Sequence, residues 1–160
     1  MVQYTEDWKR QRAEEAATWL RRIQRKAMTV KRMVAELNSF IDATGIKGTD
    51  YSAVRVSSSP TPDGVHELAV RHMELLERSQ SAAIEYMAEL EVALDAIDSM
   101  EDARHQEVLS AHYIQCKPWH RIASEMNYSE RHIYTLRMDA LDAIYDHMPP
   151  EFKTKLEPAL

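Results

Sequence analysis

The sequence predicts an all-α protein: a long antiparallel coiled-coil helical hairpin followed by a C-terminal bundle of short helices. Three observations predict it. The 160 residues contain only 3 Gly and 6 Pro, which favours long uninterrupted helices over a turn-rich β fold. Two apolar seams repeat every 3.5 residues. The last third then changes to short apolar stretches separated by residues that cap or end helices.

The first seam is Ala16, Leu20, Ile23, Ala27, Val30, Val34, Leu37 and Ile41, in steps of four and three. Arg21, Arg22, Arg25, Lys26, Lys31 and Arg32 fall between its members. This predicts a helix from about Glu6 to Ile41. Residues 43–62 are rich in Gly, Ser, Thr and Pro and read as a flexible loop. Asp63 has N-cap chemistry for a second helix. Its seam is Val65, Ala69, His72, Leu76, Ser79, Ala83, Tyr86, Leu90, Ala93 and Ile97. His72 and Ser79 place polar groups in that seam, a device that fixes register at some cost in stability.

Charge supports pairing of these two helices within one chain. The formal net charge is −6, but Met1 to Ile41 carries +4 and Asp63 to Asp102 carries −9. A basic helix beside an acidic one avoids the repulsion of like pairs. The expected organisation is a hairpin over 6–99 with its loop at 43–62, a helical domain over 100–147, and a tail over 148–160.

A third helix is expected from about Met100 to Ile114, with Val108, Leu109, His112 and Tyr113 towards its buried side. Gln115, Cys116 and Lys117 form a break. Pro118 suits the first turn of a short helix reaching Met126, whose apolar face is Trp119, Ile122, Ala123 and Met126. Asn127 tolerates the left-handed backbone that closes a helix. Ser129 is a strong N-cap for a last helix extending to about His147. The buried face of that helix is Ile133, Leu136, Ala140 and Ile144. Arg131, Thr135 and Met138 lie on the far face, with His132 and Tyr134 on its flanks.

A short helix, a tight turn and a capped second helix form the layout of a helix-turn-helix, whose second helix enters the major groove of double-stranded DNA. Arg131 can bond a guanine edge in bidentate fashion, and Thr135 and His132 can reach neighbouring edges. Lys117, Arg121, Ser129, Tyr134 and Arg137 are candidates for phosphate contacts. Arg104 to Arg137 holds 5 basic and 3 acidic residues, so a monomer is expected to bind weakly. A homodimer would double the contacts and would call for half-sites about one turn of DNA apart.

The run EVLSAHYIQCKPWHRIASEMNYSERHIYTLRMDALDAI resembles region 4 of the sigma-70 family. Tyr113, Trp119, Ile122, Ala123, Asn127, Tyr128, Ser129, Arg131, Ile133, Ala140 and Leu141 carry that resemblance. With the basic first helix, the VRVSSSP segment and the acidic second helix, the chain is similar to ArpU-type transcription regulators of phages and prophages. The resemblance implies promoter binding in a bacterial host and contact with host RNA polymerase. Carried over by position, Ser129, Glu130, Arg131, Tyr134 and Arg137 face DNA.

Other chemistry finds little footing. His105, His112, Cys116 and His120 have loose metal-ligand spacing, but a structural zinc site usually pairs cysteines and there is one Cys. No phosphate loop, dinucleotide fingerprint or nucleophile elbow occurs. The expectation is a non-enzymatic chain without cofactor or metal. The lone Cys fits a reducing compartment, and neither a signal peptide nor a membrane span is read, so the cytoplasm is expected. Two other function classes stay open. One is a phage DNA-packaging component resembling a small terminase subunit. The other is a helical protein–protein adaptor.

Overall fold

The computed structural model describes residues 2–45 and 62–154, and among these the chain is helical with no strand. Five α-helices follow in order: α1 (Val2–Thr44), α2 (Pro62–Asp98), α3 (Ala103–Leu109), α4 (Trp119–Glu125) and α5 (Glu130–Ile144). A π-turn, Ser110–Ile114, continues α3, and a 3₁₀ turn, Pro150–Phe152, follows α5. No described helix is long and apolar enough to cross a membrane.

The chain divides into two compact units, and the division does not follow the expected boundary near residue 99. One unit joins Met1–Arg25 to Ala88–Leu160; the other is Lys26–Met87. Both long helices therefore contribute to both units. The sequence placed all of α1 and α2 in a hairpin because their seams are continuous. The first turns of α1 instead serve as a wall for the C-terminal helices.

The first unit holds nearly all the fully buried side chains. Leu20 and Ile23 of α1, Ala93 and Ile97 of α2, Val108, Leu109, Tyr113 and Ile122, and Ile133, Leu141 and Ile144 of α5 form its core. Each large member contributes about 2 kcal/mol through burial. Ala13, Ala16 and Ala17 let other helices approach α1 closely. Arg12, an unexpected interior residue, lies between the rings of Trp8 and Tyr145, at 4.5 and 4.7 Å. Its Nε is 2.8 Å from Asp142 Oδ1 as an ion pair without a directed hydrogen bond. Its Nη2 donates to Asp146 Oδ2 at 2.8 Å and to the Asp142 carbonyl at 2.9 Å. Burial of the stem and stacking of the planar guanidinium are what a lysine there would lose.

Residues 148–154 are not a free tail. Met148 is buried, and Phe152 packs beside Trp19 with ring centroids 6.3 Å apart. Arg22 lies 5.1 Å over the Phe152 ring, and the Thr154 amide donates to Glu15 at 2.9 Å. Pro149 and Pro150, beyond the end of α5, thus set a 3₁₀ turn that returns the chain to α1. Residues 155–160 of the expected tail lie outside the described residues.

The second unit is two helical segments and little else. Lys26 pairs with Glu85 at 3.5 Å, Glu36 with Arg71 at 3.6 Å, and Phe40 stacks on His72 at 6.1 Å. From Lys26 to Glu36 the ion-pair partner on α2 moves back from Glu85 to Arg71, so the segments run antiparallel within this unit. Exposed pairs of this kind stabilise little and mainly set register. His72, Leu75 and Ser79 are its buried residues among those described. Ser79 satisfies its hydroxyl on the Leu76 carbonyl at 2.8 Å.

Several boundaries differ from expectation. α1 continues to Thr44, and Gly45 closes it at φ 70. Pro62 opens α2 instead of blocking helix, so Asp63 sits in the first turn and not at the N-cap. Leu75 is buried where the seam named Leu76, and Val34 of the first seam is exposed. Asp102 caps α3, accepting from the Arg104 amide, so that helix starts at Ala103 and not Met100. α5 ends at Ile144, three residues before His147. The rest of the expected loop, residues 46–61, lies outside the described residues.

Candidate nucleic-acid interface

The candidate interface is the α4–turn–α5 segment of the first unit. Its geometry follows from a few local choices. Pro118, at φ −72 and ψ 152, is the N-cap of α4 and not its first helical residue. The Arg121 and Ile122 amides donate to its carbonyl at 3.1 and 3.2 Å. α4 ends as Asn127 takes φ 56, while the Tyr128 amide donates to the Ala123 carbonyl at 2.9 Å. Asn tolerates that backbone better than a β-branched or bulky residue. Ser129 then caps α5, its hydroxyl accepting from the His132 amide at 3.2 Å. Ile122 and Ala123 from α4 and Ile133, Leu136 and Ala140 from α5 are buried. The two helices are fixed to each other through that side.

Trp119 organises the ground behind α5. The His112 imidazole stacks on it at 3.8 Å, and Tyr113 meets it edge-on at 6.3 Å. Tyr134 approaches it at 6.2 Å, and the Arg137 guanidinium lies 5.1 Å over its ring. His112 donates from Nδ1 to the Lys117 carbonyl at 2.8 Å, since a carbonyl can only accept. Burial lowers its pKa; the Lys117 carbonyl opposes this and the Arg137 charge adds to it. Gln24 of α1 donates to the His112 carbonyl at 3.0 Å and ties this cluster to the long helix.

The expected site residues separate into three groups. Glu130, Arg131, His132, Tyr134 and Thr135 are exposed on the first turns of α5, with Met138 extending the same outward face. Thr135 donates to the Arg131 carbonyl at 3.2 Å, and Tyr128 lies against the His132 ring at 4.5 Å. The Arg131 guanidinium has no ion-pair partner among the described residues. Lys117 and Arg121 form a second group, closed on Glu125 at 2.6 and 2.9 Å. Hydrogen bonds from Lys117 and then Arg121 hold the Glu125 carboxyl below its ordinary range. Arg137 stands alone: it is half-buried on Trp119, and its Nε is buried without a hydrogen-bond partner.

Sequence reasoning missed the roles of Glu125 and His112. Glu125 was legible as the i+4 partner of Arg121. Nothing local announces that His112, on a different element, stacks on Trp119. His112, Cys116 and His120 do not converge, and no group of three possible metal ligands occurs among the described residues.

Residues 46–144, more than half of the chain, match the family model described as protein of unknown function (DUF1492). No curated protein and no solved structure matches the chain.

Proposed function

We propose that this chain, which belongs to the DUF1492 family, is a sequence-specific DNA-binding regulator whose helix α5 enters the major groove. One observation carries the reading. α5 is capped by Ser129, packed from behind, and presents Arg131 and Thr135 outward from its first turns. A rigid helix with an uncommitted arginine near its N-terminal end is what base-edge recognition requires. In this reading α4, its turn and α5 are a helix-turn-helix of the sigma-70 region 4 kind, carried beside a coiled-coil hairpin. The likeness to ArpU-type regulators extends the proposal to phage or prophage promoters, with RNA polymerase as a second partner.

In this reading the contacts fall into an order. Arg131 and Thr135 read bases, with His132 and Tyr134 beside them. Ser129 and the α5 amides near it face phosphate. Lys117 and Arg121 each share their charge with Glu125 and contribute less than two free cations. Arg137 acts from behind, by holding Trp119 in place.

Footprinting on DNA flanking the coding region tests the reading. A protected site is expected, and Arg131→Ala should weaken it by about 1–3 kcal/mol while helicity stays unchanged. A chain that shifts no DNA even at low salt would instead be the helical adaptor, a reading favoured by the net charge of −6.

A further inference from the structure

The outward face of α5 changes character along its length. Its first turn carries Glu130, Arg131 and His132, all exposed and all able to make polar contacts. One turn further it carries Thr135, also exposed, beside Tyr134, and then Met138, 38% exposed. Arg131, Thr135 and Met138 stand at steps of four and three, so they share one stripe. That stripe runs from a guanidinium to a thioether.

Thr135 sits in the middle of it and is polar by residue type. Its hydrogen bond alters what it can offer. The Oγ1 hydroxyl donates its single proton to the Arg131 carbonyl at 3.2 Å. A threonine bonded back to the carbonyl four residues earlier has no proton left for a base. It cannot donate to N7 or O6 of guanine, to N7 of adenine or to O4 of thymine. What remains is a pair of acceptor sites and a methyl group. The residue is exposed and its hydroxyl is turned to the main chain, so the methyl is what a ligand on this face meets.

The major groove holds one apolar feature that matches a methyl, the C5-methyl group of thymine. An amino group of adenine or cytosine could donate to the Thr135 oxygen, but it would lose water against the carbon of Met138 nearby. We infer, on the reading of α5 as a recognition helix, that Thr135 determines specificity by reading a 5-methylpyrimidine through its own methyl, with Met138 extending the apolar contact. Four residues advance a helix about 6 Å, and successive bases of one strand are about 3.4 Å apart. The methylated pyrimidine therefore lies one or two steps from the guanine read by Arg131. Thymine and 5-methylcytosine share this methyl, so cytosine methylation at that step would raise affinity.

Competition binding of the full chain to its footprinted site tests the inference. Replacing the contacted thymine by uracil removes only the methyl and should weaken binding about fourfold, the worth of one buried carbon group. Methylating a cytosine placed at that step should strengthen binding by a similar factor. Thr135→Val keeps a methyl and loses the hydroxyl; it should retain both affinity and the preference for thymine over uracil. Thr135→Ser keeps the hydroxyl and loses the methyl, and the preference should vanish. Both variants should keep the wild-type helical circular dichroism, since the residue is exposed. Uracil tolerated at every position of the site, a folded Thr135→Val chain that loses binding, or a Thr135→Ser chain that still prefers thymine would overturn this inference and leave the regulator reading standing. A wild-type chain that protects no DNA would overturn both.

Discussion

The two units begin from the same kind of sequence and end in opposite states. Along α1 a single apolar seam runs from Ala16 to Ile41. In the first unit Ala16, Leu20 and Ile23 are fully buried, because α2 and the C-terminal helices supply walls on more than one side. In the second unit Val34, at an equivalent seam position, is exposed. The side chains are alike; the number of neighbouring layers differs. A heptad pattern specifies which face is apolar, and not how much of it will be covered.

The largest expected effect breaks this comparison directly. Leu20→Ala should cost about 2–5 kcal/mol, since it empties a filled interior site. Val34→Ala should cost less than about 1 kcal/mol in dilute protein. Denaturant titration of both variants measures the contrast. Equal costs would mean that the second unit is as fully enclosed as the first.

A smaller effect sharpens the account of α5. Ser129→Ala removes the side-chain cap and should cost about 1 kcal/mol. Thermal unfolding checks the loss. The exposed residues Arg131 and Thr135 depend on that cap for their placement and not for burial, so under the proposed DNA-binding reading affinity should fall along with stability.

The smallest effect is a pH dependence within the first unit. Burial holds the His112 imidazole below its ordinary value. As pH falls through the ordinary imidazole range, the unfolded chain takes up this proton before the folded chain does. The unfolded state then binds more protons, and stability declines with falling pH. Above that range the contribution is complete; it is lost as pH drops towards the lowered value. His112→Phe, which keeps a ring on Trp119, should have a shallower decline between pH 7 and pH 5 in denaturation midpoints. An unchanged slope would show that other groups carry it.

Much of the fold was legible because it rests on local chemistry. Asn127 and Ser129 announced the turn and the cap, and Ile133, Leu136, Ala140 and Ile144 the buried stripe of α5, from residue type and spacing alone. Arg131 and Thr135 were placed outward by helical phase, and they are exposed. The failures arise where a distant element decides. Leu76 was chosen over Leu75 because a strict 3.5 repeat drifts against a 3.6-residue helix over several turns. Arg12 drew no comment in the sequence, since an arginine's type favours water; two rings and two carboxylates brought by residues 142–146 and Trp8 make the interior suitable. Phe152 gave no local sign that it would pack beside Trp19. Lys117 and Arg121 were legible as cations, but their closure on Glu125 depends on the bend that brings residue 117 beside α4.

The π-turn after α3 has its own consequence for chain length. The Gln115 amide donates to the Ser110 carbonyl at 3.0 Å, a link spanning five residues instead of four. Val108 and Tyr113, five apart, both reach the interior across it. The widened coil therefore stores one residue of slack. A deletion at Ser110 can be absorbed by tightening the coil, and Trp119 and all that follows would keep their bearing. The same deletion between Arg131 and Thr135 in α5 would swing the two out of phase with each other.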